Sequence, residues 1–232
     1  MSLLELSGVN TYYGDSHILQ GIDLTVAESE VVALVGRNGV GKTTTLRSIL
    51  QLTPPREGEI TFRGESLVGL ETHEVADRGV GWIPEERRIF GQLTVEENLR
   101  AAIPDTDSIS EGLGLAFDAF PILEERRRQD AGTLSGGQQQ MLAIARGLVG
   151  ENDLLLVDEP SEGLAPQIVA DVAEALSEAS AEATILLVEQ NLPLALDLSD
   201  RFYIVDHGVV VDDGDSNAVS AEDERFRRYL SA

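Results

Sequence analysis

Cysteine is absent from all 232 residues, which excludes disulfides, thiolate metal sites and cysteine nucleophiles. The three histidines, His17, His73 and His207, lie too far apart in sequence to suggest a metal cluster. No apolar run approaches the ~20 residues of a membrane span, so no part of the chain is expected to cross a bilayer. Met1-Ser2-Leu3-Leu4-Glu5 has neither the basic region nor the apolar stretch of a secretory signal, and the chain is expected to stay in the cytoplasm. Basic residues are scarce: 17, against 41 acidic ones. All but Lys42 are arginine. A net charge of −24 argues against nucleic acid as the main partner, because phosphodiester binding needs a basic face. The basic clusters, Arg87-Arg88, Arg126-Arg127-Arg128 and Arg225 to Arg228, are short and flanked by acids. The last two read as solvated helix faces. Scarce lysine with surplus Asp and Glu reads as adaptation to high salt.

The one lysine stands where chemistry asks for it. Gly36-Arg37-Asn38-Gly39-Val40-Gly41-Lys42-Thr43-Thr44 matches G-x-x-x-x-G-K-[ST], the P-loop. Glycines let backbone N–H groups close around phosphate, and a helix starting there points its positive dipole end at the anion. Lys42 is a compact charge on a flexible stem that reaches the β- and γ-phosphates, which a planar arginine fork does less well. The hydroxyl of Thr43 suits Mg²⁺. Before the loop, Glu30 to Val35 reads as a strand; after it, Thr43 to Leu52 reads as a helix, with Leu46, Ile49 and Leu50 at helical spacing. Strand, glycine loop and helix together are the context the motif requires.

Length and a 42% apolar content interrupted by polar residues indicate one globular domain with room for an inserted subdomain. Strand-type runs recur at Leu4-Glu5-Leu6, Ile22 to Val26, Val31 to Val35, Glu59 to Phe62, Val80 to Ile83, Leu154 to Val157, Thr184 to Val188 and Phe202 to Val205. Past the P-loop they alternate with helical patterns, which predicts an α/β fold with a mainly parallel sheet. Asp23 and Thr25 alternate with apolar neighbours, as in a half-exposed antiparallel strand. From about Leu93 to Ala143 strand signals vanish, and Thr94 and Glu97 form a capping box at the start. The expected division is a core of about 1–92 and 144–232 with a helical subdomain of about 93–143.

Two further motifs follow. Leu154-Leu155-Leu156-Val157-Asp158-Glu159 is an apolar strand ending in two acids. Such a strand can present Asp158 to Mg²⁺ beside a P-loop, with Glu159 polarising the attacking water. Leu134-Ser135-Gly136-Gly137-Gln138 precedes a helix read from Gln139 to Leu148. Ser135 is a helix N-cap there, and the free N–H groups of the turn suit an anion.

In this order, P-loop, LSGGQ and Asp-Glu strand end resemble the nucleotide-binding domain of ABC transporters over the whole chain. The resemblance implies a P-loop NTPase fold with an N-terminal antiparallel region, and two domains paired head to tail around ATP and Mg²⁺. It places this chain's own nucleotide on Gly36, Asn38, Gly39, Gly41, Lys42, Thr43 and Thr44, with Tyr13 stacked on adenine. Ser135, Gly136 and Gly137 serve the partner's nucleotide. Thr43, Glu85 and Asp158 attend the metal, while Glu159 and Gln190 carry catalysis. Three positions depart from the general pattern. Glu85 replaces a Gln, Gln190 a His that contacts the γ-phosphate, and Ala165 an Asp after Gly163-Leu164. Gln190 keeps an N–H donor for phosphate and Glu85 an oxygen for the metal.

Pro84-Glu85-Glu86-Arg87-Arg88-Ile89-Phe90, Glu159 to Pro166 and Val188-Glu189-Gln190-Asn191 together resemble the ATPases of branched-chain amino acid importers. Glu86 stands where that branch more often has Gly. The implied partners are a second ABC ATPase, most naturally a different one, two membrane permease subunits and, indirectly, an extracellular solute-binding protein. The implied location is the cytoplasmic face of the membrane. Urea and short-amide importers are a near alternative. A soluble ABC ATPase of DNA repair, translation or cofactor assembly is a second reading, but tandem cassettes, a coiled-coil insert and a basic surface are all missing. A third is a non-hydrolysing, ATP-gated structural partner, with Gln190 as its clue and Glu159 against it.

Overall fold

Alternation of polar and apolar residues builds the first two strands. β1 (Ser2–Tyr13) and β2 (Ser16–Ala27) pair antiparallel, with Glu5 opposite Thr25 and Leu6 opposite Leu24. Leu4 and Leu6 are buried at even positions, Val9 and Thr11 at odd ones. The register shifts between Leu6 and Val9, where Gly8 takes a φ of 58°. An extra residue at such a bulge moves the following side chains to the other face. Both strands therefore run longer than their apolar runs suggested. The structure, a computed structural model, describes residues 2–104, 108–150, 152–181 and 183–230. It falls into two compact units, Met1–Val80 with Thr184–Ala232, and Gly81–Ala183.

In the first unit β1 lies between β2 and β4 (Glu57–Phe62), and a short β5 (Glu65–Ser66) follows β4. A second sheet is centred on β3 (Val31–Val35), buried throughout. It pairs in parallel with β8 (Thr184–Glu189) on one side and β9 (Arg201–Asp206) on the other. β9 then pairs antiparallel with β10 (Val209–Asp215). β10 was not evident from sequence, because Asp212, Asp213, Gly214 and Asp215 break its apolar start; as an edge strand it tolerates them. The helices here are α1 (Lys42–Ile49), α2 (Thr72–Ala76), α8 (Leu192–Leu198) and α9 (Glu224–Leu230). Ala33, Val35, Ala195, Phe202, Ile204 and Phe226 form one continuous core.

β6 (Val80–Ile83) leads into the second unit, where it neighbours β7 (Leu154–Asp158). Between them come α3 (Val95–Arg100), α4 (Ile109–Ala119), α5 (Pro121–Glu125) and α6 (Gly136–Leu148); α7 (Pro166–Ala179) follows β7. Thr94 caps α3 as expected: the Glu97 N–H donates to its Oγ1 at 3.2 Å, and its own N–H donates to the Glu97 carboxylate at 2.8 Å. Leu99, Leu113, Ala116, Leu123 and Leu142 are among the buried apolar residues that α3, α4, α5 and α6 contribute. One reading needs correcting. Arg126 to Arg128 is not a solvated helix face, because α5 ends at Glu125 and Arg127 is tied to Glu96 at 2.9 Å.

Candidate active site

The P-loop leaves the C-terminal end of β3, the edge where open α/β sheets bind ligands. Val35 pairs with Glu189 of β8, so the loops beginning at Gly36 and Gln190 start side by side. Gly36 is buried, and a Cβ there would lie 2.5 Å from the Val205 carbonyl of β9. Arg37, Asn38 and Gly39 are exposed. Gly39 and Gly41 have φ of 81° and 116°, where a side chain would be strained. Lys42 is 3% exposed, and its ammonium donates to the Gly36 carbonyl at 2.9 Å and the Arg37 carbonyl at 3.2 Å. Its charge is thereby held at the mouth of the loop. α1 starts at Lys42, one residue earlier than read, and carries Thr43 and Thr44 in its first turn.

Two tyrosines end β1, and their surroundings separate them. The Tyr12 ring stacks on His17 at 4.1 Å and carries the Arg56 guanidinium at 4.4 Å. Tyr13 is 42% exposed and has no such ring cover among the described residues. Arg47 and Thr53 donate to its hydroxyl at 3.4 and 3.3 Å. Burial pushes that hydroxyl's pKa up, but bonds with Thr53, Arg47 and Thr44 and the Arg47 charge bring it below the ordinary tyrosine value. Gln190 is exposed at the end of β8.

In the second unit β7 runs buried to Asp158, 1% exposed. Glu159 is also buried, and its φ of 45° puts a non-glycine residue in the left-handed region. Such a conformation costs about 1–3 kcal/mol and persists where the surroundings enforce it, often at functional sites. Sequence reading had no signal for it. Ala165 is the N-cap of α7 without a side-chain bond, and Pro166 at the first helical position has no N–H to satisfy. An acid at 165 is therefore dispensable for starting the helix.

The Ser135 turn is a complete capping box: the Gln138 N–H donates to Ser135 Oγ at 3.3 Å, and Gln138 Oε1 accepts the Ser135 N–H at 3.1 Å. α6 consequently begins at Gly136, three residues before the helix read from sequence. A Cβ on Gly136 would meet the Arg87 guanidinium at 3.2 Å, and one on Gly137 would meet Ile168 at 3.2 Å. Both contacts are tight, and each neighbouring side chain would have to give by a few tenths of an ångström.

Glu85 is exposed in the loop after β6, and that loop is tied to α6 in ways the sequence did not announce. Arg87 donates to Gln139 at 3.4 Å, and Arg146 donates to the Arg88 carbonyl at 2.8 Å while lying 4.7 Å from the centre of the Phe90 ring. Burial pulls the Arg146 pKa down. Buried Asn98 accepts the Phe90 N–H at 2.9 Å and donates to the Phe90 carbonyl at 3.0 Å. Phe90 is thus bonded through its backbone to Asn98, yet half exposed.

A family model described as ABC transporter matches residues 19–162. The high-affinity branched-chain amino acid transport ATP-binding protein BraG of Pseudomonas aeruginosa is 42% identical over 212 residues, 90% of this chain and 91% of that protein. The probable branched-chain amino acid transport ATP-binding protein LivF of Archaeoglobus fulgidus is 35% identical over 230 residues, 97% of each chain. A solved ATP-binding subunit of an ABC transporter superposes with a TM-score of 0.81 at 30% identity, covering 98% of this chain and 92% of that one. Fold and site define a P-loop cassette that binds and hydrolyses ATP. The chain belongs to the ABC transporter family.

Proposed function

We propose that this chain is the ATP-hydrolysing subunit of an importer for branched-chain or other hydrophobic amino acids, acting beside two membrane permease subunits. The observation that carries this reading is the 42% identity to BraG across 90% of the chain. No described helix is long and apolar enough to cross a membrane, so attachment at the cytoplasmic face would come through those subunits. A second, related ATPase completes the dimer, and an extracellular binding protein delivers substrate. The helices of about 93–143 form the inserted subdomain, and about 1–92 and 144–232 the core.

ATP fits the residues present. The P-loop amides and Lys42 take its phosphates, and the ring of the exposed Tyr13 takes adenine. Thr43, Glu85 and Asp158 are hard oxygen donors suited to Mg²⁺. Among the described residues no group of three or more His, Asp or Glu makes a protein cage, which suits an ion held largely by phosphate oxygens and water. When bound, that ion neutralises charge on the transferred phosphoryl group. Glu159 takes a proton from the attacking water, and Gln190 donates an N–H to the γ-phosphate. Ser135 Oγ, an acceptor in its own cap, keeps its hydrogen free for a partner's nucleotide.

A tagged chain purified from solubilised membranes should bring two membrane subunits with it. The reconstituted complex should accumulate leucine on adding ATP. Uptake of urea in place of leucine would overturn the substrate, and a chain recovered without membrane subunits would overturn the importer. The same complex tests docking. The Arg88 side chain is half exposed, whereas Arg87 is engaged with the start of α6. Arg88→Glu should abolish uptake while basal ATP hydrolysis stays within about twofold, as expected of a surface substitution. Arg87→Glu should lower both. Loss of both activities with Arg88→Glu would point to a folding role.

The charge balance extends the proposal to a salty cytoplasm. The sole lysine is buried, so arginine alone supplies cationic side chains at the surface of the described residues. A body of −24 repels itself, over about 10 Å at 0.1 M salt but only about 3 Å at 1 M. Melting temperature and ATPase rate should both rise as KCl goes from about 0.1 M to above 1 M. A flat or falling melting temperature would sink the idea.

A further inference from the structure

β9 and β10 are joined by the two residues His207 and Gly208, both at positive φ (47° and 80°), as the tightest hairpin turns require. This turn is held against the P-loop on one side and β2 on the other. The Gly208 N–H donates to the Val40 carbonyl at 2.9 Å. The Gly208 carbonyl accepts the Gln20 N–H at 2.8 Å, and Gln20 Nε2 donates to the His207 carbonyl at 3.1 Å. A Cβ on Gly208 would lie 1.9 Å from the Ile18 carbonyl, so β2 leaves space only for glycine.

The bond to Val40 has a geometric consequence. A trans peptide is planar, with C=O and N–H pointing in opposite directions. Fixing the Val40 carbonyl on the turn therefore fixes the Gly41 N–H away from it. Without an anchor this peptide would swivel readily, since Gly41 supplies one of its two torsions and has no side chain to restrict it. The other end of the loop is backed by β9 itself, where Gly36 packs against the Val205 carbonyl.

We propose that the β9–β10 turn aims the P-loop, with Gly208 as a positioning residue that orients the Gly41 N–H toward phosphate. The proposal rests on the reading of this loop as the ATP phosphate site. It assigns the outward carbonyl of Val40 a structural partner, so that the inward amide stays available to the ligand.

The test uses the full-length chain with ATP. A loop whose amide has lost its aim should bind ATP about 10- to 100-fold more weakly, the range for a lost hydrogen bond to a charged group. Gly208→Ala should show this by calorimetry. If that variant loses the native circular dichroism spectrum, Gln20→Ala adds no atoms and removes only the Nε2 bond to the turn; a rise of about threefold in Kd is expected. Unchanged affinity in the folded variant overturns the proposal. A second readout needs no substitution. At ATP near 100 times Kd, hydrogen exchange at the Gly208 amide should slow by up to about 100-fold if the opened turn cannot hold nucleotide. The Leu67 amide, bonded to the Ile60 carbonyl in the other sheet, is the control. Unchanged exchange at Gly208, or equal slowing at Leu67, overturns the proposal. A wild-type chain that does not bind ATP at all would instead sink the phosphate-site reading, and the proposal with it.

Discussion

Glu159→Gln should bind ATP as the wild-type chain does and hydrolyse it about 10²–10⁴-fold more slowly, the usual worth of a positioned general base. Phosphoryl transfer is mostly positioning and charge stabilisation, so losing one proton acceptor leaves the bound state intact. The amide keeps the size of the carboxylate. It also keeps whatever holds the left-handed backbone at 159, so folding should be little changed. Because bound ATP persists, this variant should accumulate as the nucleotide-held dimer. Measured turnover near the wild-type rate would falsify the role given to Glu159, and the carboxylate of Glu85 would become the next to examine.

Lys42→Ala should fail at the earlier step. The ammonium is the chain's one lysine charge, buried and held between the Gly36 and Arg37 carbonyls. Removing it takes a cation from a low-dielectric site where phosphate must be neutralised. ATP affinity should fall about 100-fold or more, corresponding to loss of at least two charge-assisted hydrogen bonds, and turnover should vanish. Lys42→Arg should not restore binding, because a planar fork cannot occupy the space of a compact ammonium ringed by loop backbone. Calorimetric titration with ATP, alongside melting without nucleotide, separates lost affinity from lost folding. Retained affinity in a folded Lys42→Ala would overturn the phosphate role.

The candidate site was legible wherever its chemistry is local. The Thr94–Glu97 capping box and the N-cap at Ser135 are local, and both formed, whereas the return bond from Gln138 was not foreseen. The strand and helix that flank the P-loop were legible because they adjoin its glycines and lysine in sequence. β10 escaped because its acids obey the needs of an edge strand more than an apolar pattern. Arg126 to Arg128 was misread because Glu96, which binds Arg127, lies 31 residues away in sequence. Nothing near Glu159 announces its left-handed backbone, since Glu lacks the short polar side chain that lets Asn and Asp visit that region.

By itself the sequence determined the P-loop, the parallel α/β core, the acidic strand end and the kinship of the chain, because each is encoded by residue types at fixed short spacing. Tertiary structure alone decided which aromatic at the end of β1 is the more exposed, since His17 and Arg56 cover Tyr12. It decided that Arg87 belongs to the start of α6 and Arg88 to the surface. It decided that a turn at residues 207–208 backs a loop at 36–42. These are contacts between backbone and side chains far apart along the chain, and their geometry exists only once the strands between them have paired.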